Sequence, residues 1–354
     1  MSEKIRVLIV DDSALMRRIL QNIMSEDPDI EVIGTARDGI EALKKAQELK
    51  PDIITLDIEM PLMDGLSCLE NLLKQGLYGI IMVSSITKER ANATIRALEL
   101  GAFDFVIKSD NIFDMSSIDK RDEIIQKVKL AYRSLRKTNI FDRTDKKEKL
   151  KTVEDAEFSS DLKYIVALGI STGGPRALSE ILPEFPADLP AAIVIVQHMP
   201  PRFTASLAAR LNENCRLIVK EAEDMEELKA GYVYIAPGDY HLTFVRDNDK
   251  IRNKLVKSPP IGGLRPSVDI MMSSLSETNF KNIIGVIMTG MGSDGVKGLT
   301  ELKEKNNAFV IAQDESTSIV FGMPRVAIEK GVVDKTVPLH NIPTCIMDFM
   351  GVRR

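Results

Sequence analysis

Cysteine, histidine and long apolar runs are all scarce in this 354-residue chain, and each scarcity removes a class of protein. The three cysteines, Cys68, Cys215 and Cys345, stand far apart with no CxxC pair, so neither a disulfide framework nor a structural zinc site has its ligands. That usage suits a reducing compartment. No apolar stretch approaches the roughly 20 residues a membrane-spanning helix needs. The short run Ile5 to Val10 stops at Asp11-Asp12 and reads as a buried strand, not a secretory leader. The expectation is a cytoplasmic protein without direct membrane insertion. Lys and Arg number 47 against 52 Asp and Glu, a net charge of -5, which supplies no field for holding phosphate backbones and makes nucleic acid an unexpected partner.

At about 150 residues per domain, the length implies roughly two domains, each large enough to bury a core. The first third alternates short apolar runs with helical patterns. The runs are Ile5 to Val10, Ile30 to Thr35, Ile53 to Asp57, Ile80 to Ser84 and Phe103 to Ile107. Five such repeats imply a parallel sheet covered by helices on both faces. A closing helix is expected from about Asp119 to Lys137, with Ile124, Val128, Ala131 and Leu135 forming one buried stripe. From Thr138 to Ser160 charged residues crowd a segment poor in apolar ones, which is a linker by composition. A second alternation begins at Tyr164 to Ile170 and continues through Ala191 to Val196, Leu217 to Val219, Ile283 to Met288 and Ala308 to Ala312, with a hairpin expected around Tyr232 to Phe244. The expected organisation is α/β throughout: residues 1–137, a charged linker 138–160, and residues 161–354, with a doubly wound parallel sheet in each domain.

Ligands of an open parallel sheet bind at the carboxyl ends of its strands. Asp11-Asp12 follow the first run, Asp57 ends the third, Ser84 the fourth, and Lys108 follows the fifth, so all should meet at one rim. Carboxylates gathered there repel one another unless a hard cation intervenes, and oxygen ligands of this kind suit Mg²⁺. A lone acidic pair after a strand is more often a helix cap. Here the string Leu56 to Gly65, LDIEMPLMDG, stands with the other residues at their places, and the constellation resembles two-component receiver domains. The resemblance implies a flavodoxin-like fold in which Asp57 accepts a phosphoryl group from a histidine kinase. Asp11, Asp12, Asp57 and the Glu59 backbone carbonyl would hold Mg²⁺. Ser84 and Lys108 would meet the phosphoryl oxygens, and Phe105 would move inward as an aromatic switch. The family usually carries proline after the lysine, where this chain has Ser109.

The second half offers a nucleophile and a base. Ser171 sits in Gly169-Ile170-Ser171-Thr172-Gly173-Gly174-Pro175, between a strand and a helix, a turn that exposes a hydroxyl and aims helix N-terminal amides at a developing oxyanion. His198 follows the next strand and Asp294 a later one, so serine, imidazole and carboxylate should share a rim. His241, in a Pro-Gly-Asp turn, fits packing better than chemistry, and His340 near the final helix fits a structural role. Gly290, Gly292 and Gly295 spell GxGxxG after a strand, with Asp314 about 20 residues on, so nucleotide binding has to be weighed. That motif arrives late in its domain, and the first strand-to-helix turn carries Ser171 instead.

The strings at Gly169 to Pro175, Gln197 to Pro200, Phe203 to Ala208, Arg265 to Asp269 and Thr289 to Gly295 together resemble the bacterial chemotaxis protein-glutamate methylesterases. The resemblance covers almost the whole chain and implies a Rossmann-like hydrolase domain under phosphorylation control. Ser171 would attack a glutamyl methyl ester on a chemoreceptor helix, His198 would serve as base and then acid, and Asp294 would orient it. Methanol would leave, with no cofactor for the hydrolysis, and particular receptor glutamines would be deamidated by the same chemistry. The Met291 backbone N–H is the candidate oxyanion donor, and Arg202, expected on the helix after His198, a candidate receptor contact. The competing reading is a nonenzymatic effector whose second domain binds a nucleotide or a partner protein. A transcriptional output lacks a basic recognition helix.

Overall fold

The computed structural model describes residues 4–108, 117–137 and 161–352. The chain divides into two compact units between Asp142 and Arg143. That division falls within the expected linker, which, like Ser109, lies outside the described residues.

The first unit runs β1 (Ile5–Val10), α1 (Ala14–Ser25), β2 (Ile30–Ala36), α2 (Gly39–Leu49), β3 (Ile53–Asp57), α3 (Gly65–Gln75), β4 (Gly79–Ser84), α4 (Lys88–Leu100), β5 (Asp104–Ile107) and α5 (Ile118–Lys137). Its five strands pair in parallel in the order β2-β1-β3-β4-β5, the flavodoxin-like arrangement. Central strands read as unbroken apolar runs because helices cover both faces: every residue of β3 and β4 is buried. Side-chain oxygens start four of the helices. Ser13, Asp38, Asp64 and Thr87 each accept a backbone N–H from the first turn, at 3.3, 2.8, 2.7 and 3.2 Å, and such caps each contribute about 1 kcal/mol. On α5, Ile124, Val128 and Ala131 are buried as the spacing predicts, whereas Leu135, near the helix end, is only half-buried. Gly65 opens α3 where it crosses the end of β3. A Cβ there would lie 2.1 Å from the Asp57 carbonyl oxygen, so the close approach that sets Asp57 on the rim admits no side chain.

The second unit runs β6 (Tyr164–Ile170), α6 (Gly174–Ile181), β7 (Ala191–Gln197), α7 (Phe203–Asn212), β8 (Ile218–Glu221), β9 (Tyr232–Ile235), β10 (His241–Asp247), β11 (Lys250–Val256), α8 (Val268–Ser276), β12 (Ile283–Ile287), α9 (Val296–Asn306), β13 (Phe309–Gln313), α10 (Met323–Glu329), β14 (Lys335–Val337) and α11 (Ile342–Met350). Seven strands form a parallel sheet ordered β14-β13-β12-β6-β7-β9-β8. From β6 the chain steps through β7 toward one edge and later, from β12, toward the other. The reversal therefore opens a crevice between β6 and β12 at their carboxyl ends.

The hairpin differs from expectation. Tyr232–Ile235 is a parallel strand of the large sheet, and the antiparallel pair is β10 with β11, joined by a two-residue turn at Asn248-Asp249. The apolar run from Tyr232 to Phe244 holds two strands of two different sheets, separated at Pro237-Gly238. Asn248, at φ 56°, supplies the left-handed residue a tight antiparallel turn requires. Leu242, Phe244 and Ile251 of the hairpin join Val268, Met271 and Leu299 in one core cluster. The segment linking hairpin to α8, which carries Arg265 to Ser267, is thereby anchored at both ends.

Candidate functional site

In the first unit the parallel ladder brings the expected residues to one rim. Asp11 and Asp57 are buried, Asp12 is exposed, and ligand oxygens of the three carboxylates lie within 4.8 Å of one another. Lys108 reaches between two of them, its Nζ 2.8 Å from Asp11 Oδ2 and 2.7 Å from Asp57 Oδ2. Burial pushes the Asp57 carboxyl up to about 6; the Lys108 charge opposes this, and the Asp11 charge adds to it. Burial would lower the Lys108 ammonium, but Asp57 and Asp11 outweigh that and hold it above its ordinary value. Lys108 thus pairs with two of the three carboxylates, and the oxygen-only donor set fits a further hard cation.

The other residues expected at this rim have definite partners. The buried Ser84 hydroxyl lies 3.0 Å from that of Thr94 on α4 and 3.3 Å from the Ser85 carbonyl. The Glu59 carboxylate turns away from the cluster to Arg90, which also holds the Ser85 hydroxyl. Phe105, expected to move inward, already has its ring buried, with the Lys127 ammonium 5.3 Å from its centroid.

In the second unit, the His198 ring nitrogen Nε2 lies 2.7 Å from Asp294 Oδ2. A carboxylate only accepts, so Nε2 carries the proton and Nδ1 remains the nitrogen able to take one. Burial would raise the Asp294 carboxyl, but the hydrogen bond and charge of His198 and the N–H groups of Asp269 and Val268 outweigh it and hold Asp294 below the ordinary carboxylate range. Ser171 follows β6 at the topological reversal, its N–H on the Thr289 carbonyl at 2.9 Å, while the His198 N–H meets the Ile170 carbonyl at 3.2 Å. These main-chain bonds set Ser171 and His198 on neighbouring strand ends. Gly290 packs against Ser171 so closely that a Cβ would lie 2.7 Å from the Ser171 Cβ, which brings the exposed Met291 beside the serine. Arg202 is not on the helix as expected. It precedes α7 at φ 74°, exposed.

Sequence reasoning missed the residues that hold Asp294. The Ser267 hydroxyl donates to Oδ1 at 2.8 Å, the Val268 N–H to Oδ2 at 2.7 Å and the Asp269 N–H to Oδ1 at 3.0 Å. Asp294 therefore sits on the N-terminus of α8, where the helix dipole favours its charge. Asp269 returns the arrangement, its Oδ1 accepting from the N–H groups of Gly295 and Gly298 at 2.9 and 2.8 Å at the start of α9. The signal was the Arg265 to Asp269 string, which contributed to the resemblance without a role of its own. His241 is fully buried: its Nδ1 accepts from the Ser267 N–H and its Nε2 donates to the Pro259 carbonyl, both at 3.2 Å, so neither nitrogen is left for acid–base work. His340 is exposed in a short 3-10 turn.

The GxGxxG reading fails on the same geometry. The α9 N-terminus that would receive a pyrophosphate is taken by Asp269. Asp314, the would-be ribose ligand, accepts from Ser316 and from the N–H and hydroxyl of Thr317 in its own turn.

A family model described as CheB methylesterase matches residues 166–346, and one for the response regulator receiver domain matches residues 7–118. Among relatives, a protein-glutamate methylesterase/protein-glutamine glutaminase of Pyrococcus horikoshii is 44% identical, with 100% of this chain and 96% of the relative covered. One of the same name from Thermotoga maritima is 44% identical over 98% of each chain. The solved catalytic domain of Thermotoga maritima CheB methylesterase superposes with a TM-score of 0.51 at 48% identity, covering 53% of this chain and 98% of that one. With two family models in series, and relatives matched over nearly their whole length, the chain belongs to the protein-glutamate methylesterase/protein-glutamine glutaminase family, a receiver domain preceding the methylesterase domain.

Proposed function

We propose that this protein hydrolyses glutamyl methyl esters on chemoreceptor helices, and deamidates particular receptor glutamines, under control of a phosphoryl group on Asp57. The proposed domains are residues 1–137 for the receiver and 161–354 for the esterase, joined by the charged segment 138–160. The observation that carries the reading is the 2.7 Å pair of His198 Nε2 with Asp294, next to the strand end that bears Ser171. That pair assigns the ring proton to Nε2 and leaves Nδ1 as the nitrogen able to accept one. Ser171 Oγ attacks the ester carbonyl while His198 Nδ1 takes its proton, and the imidazolium is stabilised by Asp294. The Met291 N–H is the proposed donor to the tetrahedral oxyanion. His198 returns the proton to the departing methoxide, giving methanol, and a water activated by the same nitrogen releases the glutamate. With glutamine the leaving group is ammonia.

In the receiver, the Asp11, Asp12 and Asp57 carboxylates and the Glu59 carbonyl would hold Mg²⁺, which when bound neutralises charge on the transferring phosphoryl group. Lys108 keeps its charge beside the acceptor, and the Ser84 hydroxyl, now shared with Thr94 and the Ser85 carbonyl, is free to rotate to a phosphoryl oxygen. The phosphodonor is a chemotaxis histidine kinase, and the reaction takes place in the cytoplasm at receptor domains. Among the described residues no helix is long and apolar enough to cross a membrane.

Replacing the acceptor tests the control. Asp57→Asn keeps the volume and removes the nucleophilic oxygen, so its methanol release should stay at the unphosphorylated rate when a small-molecule phosphodonor and Mg²⁺ are added. Full activation of that variant by the phosphodonor would exclude Asp57 as the acceptor.

A further inference from the structure

We propose that Gln197 is a positioning residue that ties the residue bearing the nucleophile to the residue bearing the base, a role that rests on the reading of Ser171 as nucleophile. Gln197 ends β7, one residue before His198, and is sealed at 2% exposure. Its Nε2 donates to the Ser171 carbonyl at 3.0 Å and to the His198 carbonyl at 3.3 Å. Both partners only accept, so the carboxamide nitrogen must face them and the oxygen must face away.

That orientation leaves Oε1 buried without a hydrogen-bond partner. An unmet buried acceptor costs stability, whereas an apolar side chain of the same length would incur no such cost. Main-chain bonds already serve the fold here: the Ser171 carbonyl also accepts from the Gly174 N–H at 2.8 Å, and the His198 N–H continues the β6–β7 ladder to Ile170. What Gln197 adds is a link beyond the end of that ladder, from one catalytic residue to the other. Thr289 also braces this turn, its hydroxyl donating to the Thr172 carbonyl at 3.0 Å. A displacement of about 1 Å between reacting groups is enough to cost about 100-fold in rate.

Gly174 gives an independent handle. At the first position of α6, a Cβ would lie 1.8 Å from Gln197 Oε1, so an alanine there must drive the carboxamide out of its slot.

The test uses full-length protein carrying Gln197→Met, which keeps the length and removes the donor. The expected result is a fall of about 30- to 100-fold in kcat for methanol release. KM should be unchanged and the thermal midpoint no lower than that of the parent. The rate at which phenylmethylsulfonyl fluoride modifies Ser171 should fall in parallel. Gly174→Ala should lower kcat similarly, yet add little to Gln197→Ala in the double variant, because both remove one interaction. An unchanged kcat in Gln197→Met, a loss explained wholly by unfolded protein, or additive effects in the double variant would each overturn the role. An active Ser171→Ala would remove the nucleophile reading and this proposal with it; an inert Ser171→Ala beside a fully active Gln197→Met would overturn the positioning role alone.

Discussion

Ser171→Ala should eliminate methanol release, lowering kcat by about 10⁴-fold or more, while the protein keeps its fold. The size follows from the loss of the proposed attacking oxygen, with no other histidine placed to activate a replacement. His241 has both nitrogens engaged and His340 lies exposed on a 3-10 turn, so neither supplies a detour. Stability should hold because the structural bonds of Ser171 belong to its backbone. Its N–H meets Thr289, and its carbonyl meets Gly174 and Gln197. Removing one half-exposed hydroxyl leaves all three in place, and the thermal midpoint should shift by no more than a few degrees. Turnover within tenfold of the parent would show that the ester is cleaved elsewhere.

Asp294→Asn should cost nearly as much activity and, unlike the first variant, stability as well. Each carboxylate oxygen accepts one immovable backbone N–H: Oδ2 from Val268 and Oδ1 from Asp269. Whichever way an asparagine amide turns, its NH₂ meets a donor. If it faces Oδ2's partners it also opposes His198 Nε2–H and favours the wrong tautomer, a change that lowers kcat by about 10⁴-fold where it has been isolated in other serine triads. If it faces the other side it confronts Asp269 and forces the Ser267 hydroxyl to rotate. The expected loss of stability is about 1–3 kcal/mol, the cost of one unmet buried donor, read as a lower urea midpoint alongside the lost kcat. Near-normal turnover would mean that Asp294 caps α8 and nothing more.

Much of this arrangement was legible in the chain because strand ends are. Alternating apolar runs located the strands that end at or just before Asp57, Ser84, Ser171 and His198, and the rules for parallel sheets bring such ends to one rim within each sheet. The supports of Asp294 were hidden because Ser267 to Asp269 reach the site from outside the large sheet, through a hairpin whose position the apolar pattern blurred. No periodicity announces a helix N-terminus that receives a carboxylate from 25 residues away. Gln197 was hidden for another reason: a glutamine closing an apolar strand becomes a bridge only once the β6–β7 register is known. The GxGxxG string was rightly discounted on its late position, and its glycines serve close packing of Gly290 on Ser171 and of Gly295 on Val268.

The proposed function couples phosphorylation of the receiver to a serine esterase in the same chain. Its most direct measurement is methanol release from purified methylated receptor, with and without Mg²⁺ and a small phosphodonor. Release should be slow with the protein alone and faster only when Mg²⁺ and the phosphodonor are both present. Release that is absent throughout, or indifferent to the phosphodonor, would contradict it.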